Sequence, residues 1–199
     1  MRLSISQPTL YRDCPHAYKC RYIDKIEVPQ AEALEFGTNF HKAISEGTED
    51  SLISKMVSAV KNSEPFNWED DYEYEKKEYV NLEGFNFTYI VDATNIIKIF
   101  EFKSASKPWV NNRFQEEWQP HIYIKGEEIN TGEVKEFYYI VVTKEDNPKV
   151  QVERVEFNQD IYNKIIETAG KLKNDFEFKP TPNKNCYFCD YKSWCPNQF

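Results

Sequence analysis

Nowhere in the 199 residues does an apolar run approach the roughly 20 residues needed to span a bilayer, so no membrane-spanning helix is expected. The opening stretch, MRLSISQPTLYRDC, lacks the apolar core of a secretory signal. An intracellular, cytoplasmic protein is the expectation, and in that compartment structural disulfides are disfavoured. Six Gly and ten Pro are too few for a fibrous or low-complexity chain, and no internal repeat is visible. Basic charge is also short: the formal net charge is −8, which argues against coating nucleic acid by bulk charge. A local basic groove is still compatible with that balance. What is present is 40% hydrophobic and 16% aromatic residues, enough for a packed core in a single domain spanning 1–199.

Cysteine is missing from 21 to 185, and the five that exist sit at the two ends: Cys14, Cys20, Cys186, Cys189 and Cys195. Such clustering in an intracellular chain points to metal rather than disulfide chemistry. Cys186-x2-Cys189 lets two thiolates reach one metal from a tight turn, and Cys195 follows after a short loop. Cys14 or Cys20 can supply the fourth. Four thiolates suit either Zn²⁺ or an iron–sulfur cluster, and the spacing does not separate them.

Residues 4–24 read as one or two short helices broken at Pro15. Residues 35–46 and 50–61 read as helices, the second with Leu52, Ile53, Met56, Val57 and Val60 on one stripe. The stretch 64–83 holds eight Asp/Glu against two Lys and reads as a solvated loop entering an edge strand. Strands are expected near 76–82, 85–92 and 96–103, with turns at Glu83-Gly84 and Thr94-Asn95. Residues 109–125 read as mostly helical, and Gly126 to Gly132 as a polar loop. Strands at 134–143 and 150–157 and a helix at 159–174, capped by Asn158, complete an α/β pattern on a small mixed sheet. Pro180 and Pro182 lead the chain, extended, into the cysteine loop.

Asp92 ends an apolar strand, and Glu101 and Lys103 project together from the next, with Phe102 on the opposite face. If these strands pair as a hairpin, Asp92 meets Glu101. Two carboxylates at one point repel and require a cation, for which Mg²⁺ or Mn²⁺ is suited. Lys103 can orient a water or offset charge on a phosphate. This is equipment for metal-assisted phosphodiester hydrolysis. His41, on a helix, is a further candidate ligand. Gln119 and Tyr123 are spaced to share a helical face and could contact a phosphate or base. Pro120 between them requires the helix to begin near Trp118 or to kink.

The ordered set runs from Ser4-Ile5-Ser6 to Cys14-Pro15 and Tyr22, through Glu35-Phe36-Gly37 to His41. It continues with Asp92, Glu101-Phe102-Lys103, Gln119 to Tyr123, and Cys186/Cys189/Cys195. It resembles the RecB-like branch of the PD-(D/E)xK nuclease superfamily. CRISPR-associated RecB-like exonucleases and phage exonucleases are similar in layout, and AddB-type recombination nucleases share the cysteine arrangement. The resemblance implies a restriction-endonuclease-like core, a small mixed β-sheet flanked by helices. In it the N- and C-terminal segments, 1–34 and 175–199, are stapled by a four-cysteine metal cluster. It implies His41, Asp92, Glu101 and the Phe102 backbone carbonyl as metal ligands, and Asp92, Glu101 and Lys103 as the catalytic set. Gln119 and Tyr123 would contact substrate. Cys14, Cys186, Cys189 and Cys195 would hold a [4Fe–4S] cluster, leaving Cys20 spare. The implied activity is a Mg²⁺/Mn²⁺-dependent, single-stranded DNA exonuclease of 5′ polarity in a bacterial, archaeal or phage-infected cell. An alternative is a DNA-end binding or processing module inside a larger complex with adaptation or recombination proteins. Lys19, Arg21, Lys25, Lys184 and Lys192 are candidates for a basic lining near the cysteines, and Arg113 and Lys107, near the active strand, could add phosphate contacts.

Overall fold

Glu83 and Gly84 both lie at positive φ, 48° and 86°. That is the backbone a two-residue hairpin turn needs to match the twist of its flanking strands. The turn joins β2 (Glu73–Leu82) to β3 (Phe85–Thr94). A computed structural model describes residues 2–29, 32–110 and 113–197. The chain divides into two compact units: Met1–Pro29 with Tyr79–Thr88 and Gln159–Phe199, and Gln30–Glu78 with Tyr89–Asn158.

The second unit is built on the strand order β2-β3-β4-β5-β6, with β4 at Lys98–Ala105, β5 at Glu136–Thr143 and β6 at Val150–Val155. The β3–β4 and β5–β6 pairs are antiparallel and β4–β5 is parallel. A parallel pair needs a crossover, and the helices α5 (Arg113–Glu116) and α6 (Gln119–Thr131) supply it. Before the sheet come α3 (Glu32–Glu46) and α4 (Ser51–Lys61). Asp50 caps α4, its carboxylate accepting from Ile53 N–H at 2.9 Å.

Alternation along the strands sorts two faces. Phe100, Phe102, Ile140 and Val142 pack with Phe40 and Ile44 of α3 and Ile53, Met56 and Val60 of α4. The in-between residues Phe137 and Tyr139 meet Tyr123 of α6 and Phe114 of α5. The mixed sheet is thus covered by helices on both faces. The acidic stretch is only partly the solvated loop its charge suggests. Phe66 and Tyr72, interleaved among the acids, stack in the core at 5.0 Å.

A second expectation is overturned: Gly126–Gly132 is not a loop. Helix α6 continues to Thr131 and stops only at Gly132, which takes φ 80°. Gly126 lies inside it because Tyr89 leaves no room for a side chain; a Cβ there would come 2.6 Å from the Tyr89 hydroxyl. The next residue, Glu127, is fully buried. It accepts from Tyr89 OH at 3.1 Å and pairs with Lys135 Nζ at 2.7 Å. Lys135 also donates to Thr94 Oγ1 at 3.0 Å. A tight contact and a buried ion pair outweigh the loop propensity of a Gly-Glu-Glu run.

In the first unit, β1 (Arg2–Ser4) runs parallel to residues 86–88 of β3. Helix α1 (Ser6–Asp13) and α2 (Pro15–Tyr18) follow, then a π-helical turn at Lys19–Ile23. Helix α7 (Gln159–Asn174) buries Tyr162, Ile165, Ala169 and Leu172, as its spacing requires. The tail is tied back to the start by Tyr11 OH on Asp175 (2.8 Å), Asn183 Nδ2 on the Asp13 carbonyl (2.9 Å) and Phe178 stacked on Tyr18. No helix among the described residues is long and apolar enough to cross a membrane.

Gly126→Ala is expected to destabilise. Helix propensity favours Ala by up to about 1 kcal/mol, while overpacking a buried, stacked tyrosine costs about 1–3 kcal/mol. Lys135→Met is expected to cost more, about 3–5 kcal/mol, because it strands a buried carboxylate. Combining it with Glu127→Leu should recover most of that loss. Urea unfolding of the three variants checks both statements.

Candidate active site

The β3–β4 register pairs Ala93 with Phe100 and Thr94 with Ile99. One step further along the same register sets Asp92 opposite Glu101. Here the ladder changes character: Phe102 N–H donates to the Asp92 side chain, Oδ2, at 2.7 Å. Asp92 and Glu101 are both buried. Lys103 shares the face of Glu101 and its Nζ donates to Glu101 Oε1. Phe102, between them, points into the opposite core.

Helix α3 buries Phe40, Ala43 and Ile44, and His41 stands on its flank. His41 Nδ1 is 3.2 Å from Asp92 Oδ1 and 4.0 Å from Glu75 Oε1. The three donor atoms of His41, Glu75 and Asp92 all lie within 4.8 Å of one another, a spacing that could hold a metal ion. A His with two carboxylates is a donor set for a hard or borderline divalent cation.

The electrostatics ask for positive charge at this place. Burial, with the nearby Asp92 charge, pushes Glu101 from 4.5 up to about 7, against the pull of Lys103 and His41. Its Oε2 is buried without a hydrogen-bond partner. Burial and Asp92 likewise raise Glu75, with His41 opposing. Burial lowers His41, but its hydrogen bond to Asp92 and the charges of Asp92 and Glu101 prevail and raise it. Lys103 follows the same logic: burial lowers it, Glu101 and Asp92 more than compensate, and it stays charged at neutral pH.

Gln119 opens α6 and Pro120 occupies its first turn, where no hydrogen bond is lost. The helix is therefore unbroken, and Gln119 Nε2 donates to Tyr123 OH at 2.9 Å. Tyr123 stacks near Tyr89 at 4.9 Å. Burial and then the Glu101 charge hold its hydroxyl well above its usual range, which places it beside the carboxylates. Arg113 is more distant in character: its guanidinium lies over Trp109 at 3.9 Å and it pairs with Glu117 at 3.3 Å.

Two residues were not legible in the sequence. Glu75 sits in the acidic stretch that reads as solvated. It adopts φ 48° inside β2, and only that local kink and the position of His41 bring its carboxylate to the site. Tyr139 pairs with Glu101 across the parallel β4–β5 register, fully buried, with its hydroxyl unpartnered. An alternating aromatic strand carries no signal that distinguishes it from core.

In the first unit, Cys14, Cys186, Cys189 and Cys195 line one cavity of ≈ 210 Å³. All are free thiols. Among the described residues no three cysteine sulfurs converge within 4.8 Å of one another, so a closed four-cysteine staple is not seen. Cys20 is buried apart from that lining, 3.6 Å from His16 Nε2. Arg21 and Lys192 line the same cavity, whereas Lys19 is tied to Asp24 at 2.7 Å.

Metal-free protein should lose stability as pH rises from about 4.5 to about 7, because the raised Glu101 makes the folded state bind more protons than the unfolded chain. The raised His41 acts in the same direction. Glu101→Gln should flatten that slope in thermal melts across pH. Mn²⁺ titration should show Asp92→Asn abolishing binding and Glu75→Gln weakening it by roughly tenfold. Unchanged Mn²⁺ affinity in Glu75→Gln would remove Glu75 from the ligand set.

A solved structure from Eubacterium rectale, provisionally named an exonuclease, superposes with a TM-score of 0.72 at 15% identity, covering 96% of this chain and 87% of that one. The structure of SSO0001 gives 0.64 at 14% identity, covering 100% and 87%. At such identities the likeness establishes the fold, an α/β core of restriction-endonuclease type. No match is found among curated proteins. The sequence model of the PD-(D/E)XK nuclease superfamily matches residues 2–82 and 68–196, and the chain belongs to that superfamily.

Proposed function

We propose that this protein is a Mg²⁺- or Mn²⁺-dependent deoxyribonuclease that acts as an exonuclease on single-stranded DNA, with 5′ polarity. The observation that carries the reading is the buried Asp92 and Glu101 face with Lys103 bonded to it and His41 3.2 Å away. Membership of a nuclease superfamily supports hydrolysis. Exonuclease action rests on family resemblance and on the name of the Eubacterium rectale neighbour, and 5′ polarity on the resemblance alone. Recombination, repair, phage replication and CRISPR adaptation are the settings that resemblance suggests.

The residues fit a divalent cation: donor atoms of His41, Glu75 and Asp92 lie within 4.8 Å of one another, and Glu101 Oε2 is buried without a hydrogen-bond partner. His41, Asp92, Glu101 and the Phe102 carbonyl would hold it, with Glu75 as an added ligand. Such an ion supplies positive charge against the phosphate and makes water more acidic. The chain's own groups do the rest. The Phe102 amide fixes Asp92 in one orientation. Glu101 holds the Lys103 ammonium at the mouth of the site, where it can orient the attacking water and offset charge on the phosphate oxygens. Gln119 and Tyr123, locked to each other, offer an amide and a phenol to the substrate backbone.

The four-cysteine cavity supports a [4Fe–4S] cluster held by Cys14, Cys186, Cys189 and Cys195. Four thiolates suit either zinc or an iron–sulfur cluster, and the choice of the cluster rests on the family resemblance. Asn183 N–H already points at Cys186 Sγ, 3.4 Å away, the kind of donor that stabilises a thiolate. The cluster would act as a cross-link between the ends of the chain.

Asp92→Ala, Glu101→Ala and Lys103→Ala are each expected to lower Mg²⁺-dependent cleavage of labelled single strands by at least about 100-fold while circular dichroism stays unchanged. Wild-type rates in any of them would remove that residue from the catalytic set. Anaerobically purified protein should absorb broadly near 400 nm and contain iron and sulfide, and Cys186→Ala should bleach it. Colourless protein with stoichiometric zinc would refute the cluster.

A further inference from the structure

Beyond the reacting groups, β4 and β5 run parallel, and the carboxyl ends of parallel strands are where α/β sheets offer a crevice. Here that crevice is a groove of ≈ 610 Å³ beginning at Lys103. Its charged lining consists of Lys103, Lys107, Arg113 and Lys144, with no carboxylate among the lining residues. In a chain of net charge −8 that is a marked local reversal of sign. The groove is also built rather than incidental. Lys144 is held at its edge by its backbone N–H on the Ala105 carbonyl, 2.8 Å, which prolongs the β4–β5 ladder. Trp109 is pinned through its backbone by one side chain of β6. Gln151 Oε1 accepts from Trp109 N–H at 2.6 Å, and Gln151 Nε2 donates to the Trp109 carbonyl at 3.1 Å. The Trp109 ring, backed by Phe114 and Tyr139 at 5.1 and 5.5 Å, then carries the Arg113 guanidinium over it, 3.9 Å from the ring centre.

We propose that Arg113, laid on Trp109 and positioned by Gln151, is the strand-selecting platform of this nuclease, stacking one unpaired base while Lys107 and Lys144 follow the phosphates. The inference rests on the nuclease reading and names the residues that give it single-strand preference. The guanidinium over the indole, tethered through Nε to Glu117 at 3.3 Å, is half open to solvent, with the Arg113 side chain 52% exposed. Bases stack on guanidinium planes when they are unpaired. In a duplex both faces of every internal base are already covered, so the platform has nothing to receive and only the lysines contribute. Phosphate contacts alone bind either form. The stacking contact therefore separates the two.

The test is binding of fluorescent oligothymidylate and of a duplex, with Ca²⁺ replacing Mg²⁺ so that DNA is not consumed. Arg113→Ala should weaken single-strand binding roughly 5- to 100-fold, the range for one lost stack, and change duplex binding less than about twofold. Gln151→Ala, which touches no DNA, should reproduce part of that loss. Trp109→Phe keeps the packing against Phe114 and Tyr139 and should retain more affinity than Trp109→Ala. Lys107→Gln and Lys144→Gln should each lower the salt slope for single strands by about 0.7. Equal losses for single strand and duplex in Arg113→Ala would reduce the platform to a charge patch and overturn the proposal, as would unchanged binding. Wild-type protein that binds neither DNA overturns it as well. Selective binding without Mg²⁺-dependent cleavage would leave the platform standing and sink the nuclease reading instead. Cleavage by wild type with an unaffected Arg113→Ala would do the reverse.

Discussion

The hydrogen bond from Phe102 N–H to the Asp92 carboxylate is the constraint on which the site depends. An amide that a strand ladder would give to a carbonyl is given to a side chain instead. That exchange holds the Asp92 carboxylate inside the sheet, opposite Glu101, whose own ionisation is opposed by burial and by the Asp92 charge. The arrangement stands because each charge is answered locally: Asp92 by the amide and His41, Glu101 by Lys103. One oxygen of Glu101 is still unanswered. An unpartnered buried oxygen of this kind is what a divalent cation would relieve.

Around that centre the second unit is unusually aromatic. Phe66, Tyr72, Phe100 and Tyr138 fill one side of the sheet and Tyr89, Tyr123, Phe137 and Tyr139 the other. Rigid rings give a sheet little freedom to deform, and they set the dry surroundings that strengthen the polar contacts. A second buried pair, Glu127 with Lys135, fastens the middle of α6 to Tyr89 and Thr94. That fastening fixes the helix that carries Gln119 and Tyr123.

The first unit solves another problem. Its segments are far apart in sequence, and closing such a loop costs chain entropy. Aromatic contacts of Tyr11, Tyr18 and Phe178, and side-chain bonds from Asn183 and His16 to backbone carbonyls, already draw the tail onto the N-terminal helices. The cysteines thus meet around a cavity that ordinary packing has assembled.

Much of this was legible beforehand. Period-two alternation put Glu101 and Lys103 on one face and Phe102 on the other, because a strand leaves no other choice. The turn at Glu83-Gly84, the stripe of α4 and the apolar face of α7 followed from local chemistry in the same way. Helix α6 did not: its Gly126 looked like a terminator and is instead a point of close approach to Tyr89. Glu75 was hidden among acids, and of the basic groove Lys103, Lys107 and Arg113 were legible near the active strand while Lys144, distant in sequence, was not. The sequence by itself determined which residues share a face, since backbone periodicity is a local property. Only the tertiary structure decided which of those faces meet, because contacts between distant segments depend on packing that no local pattern encodes.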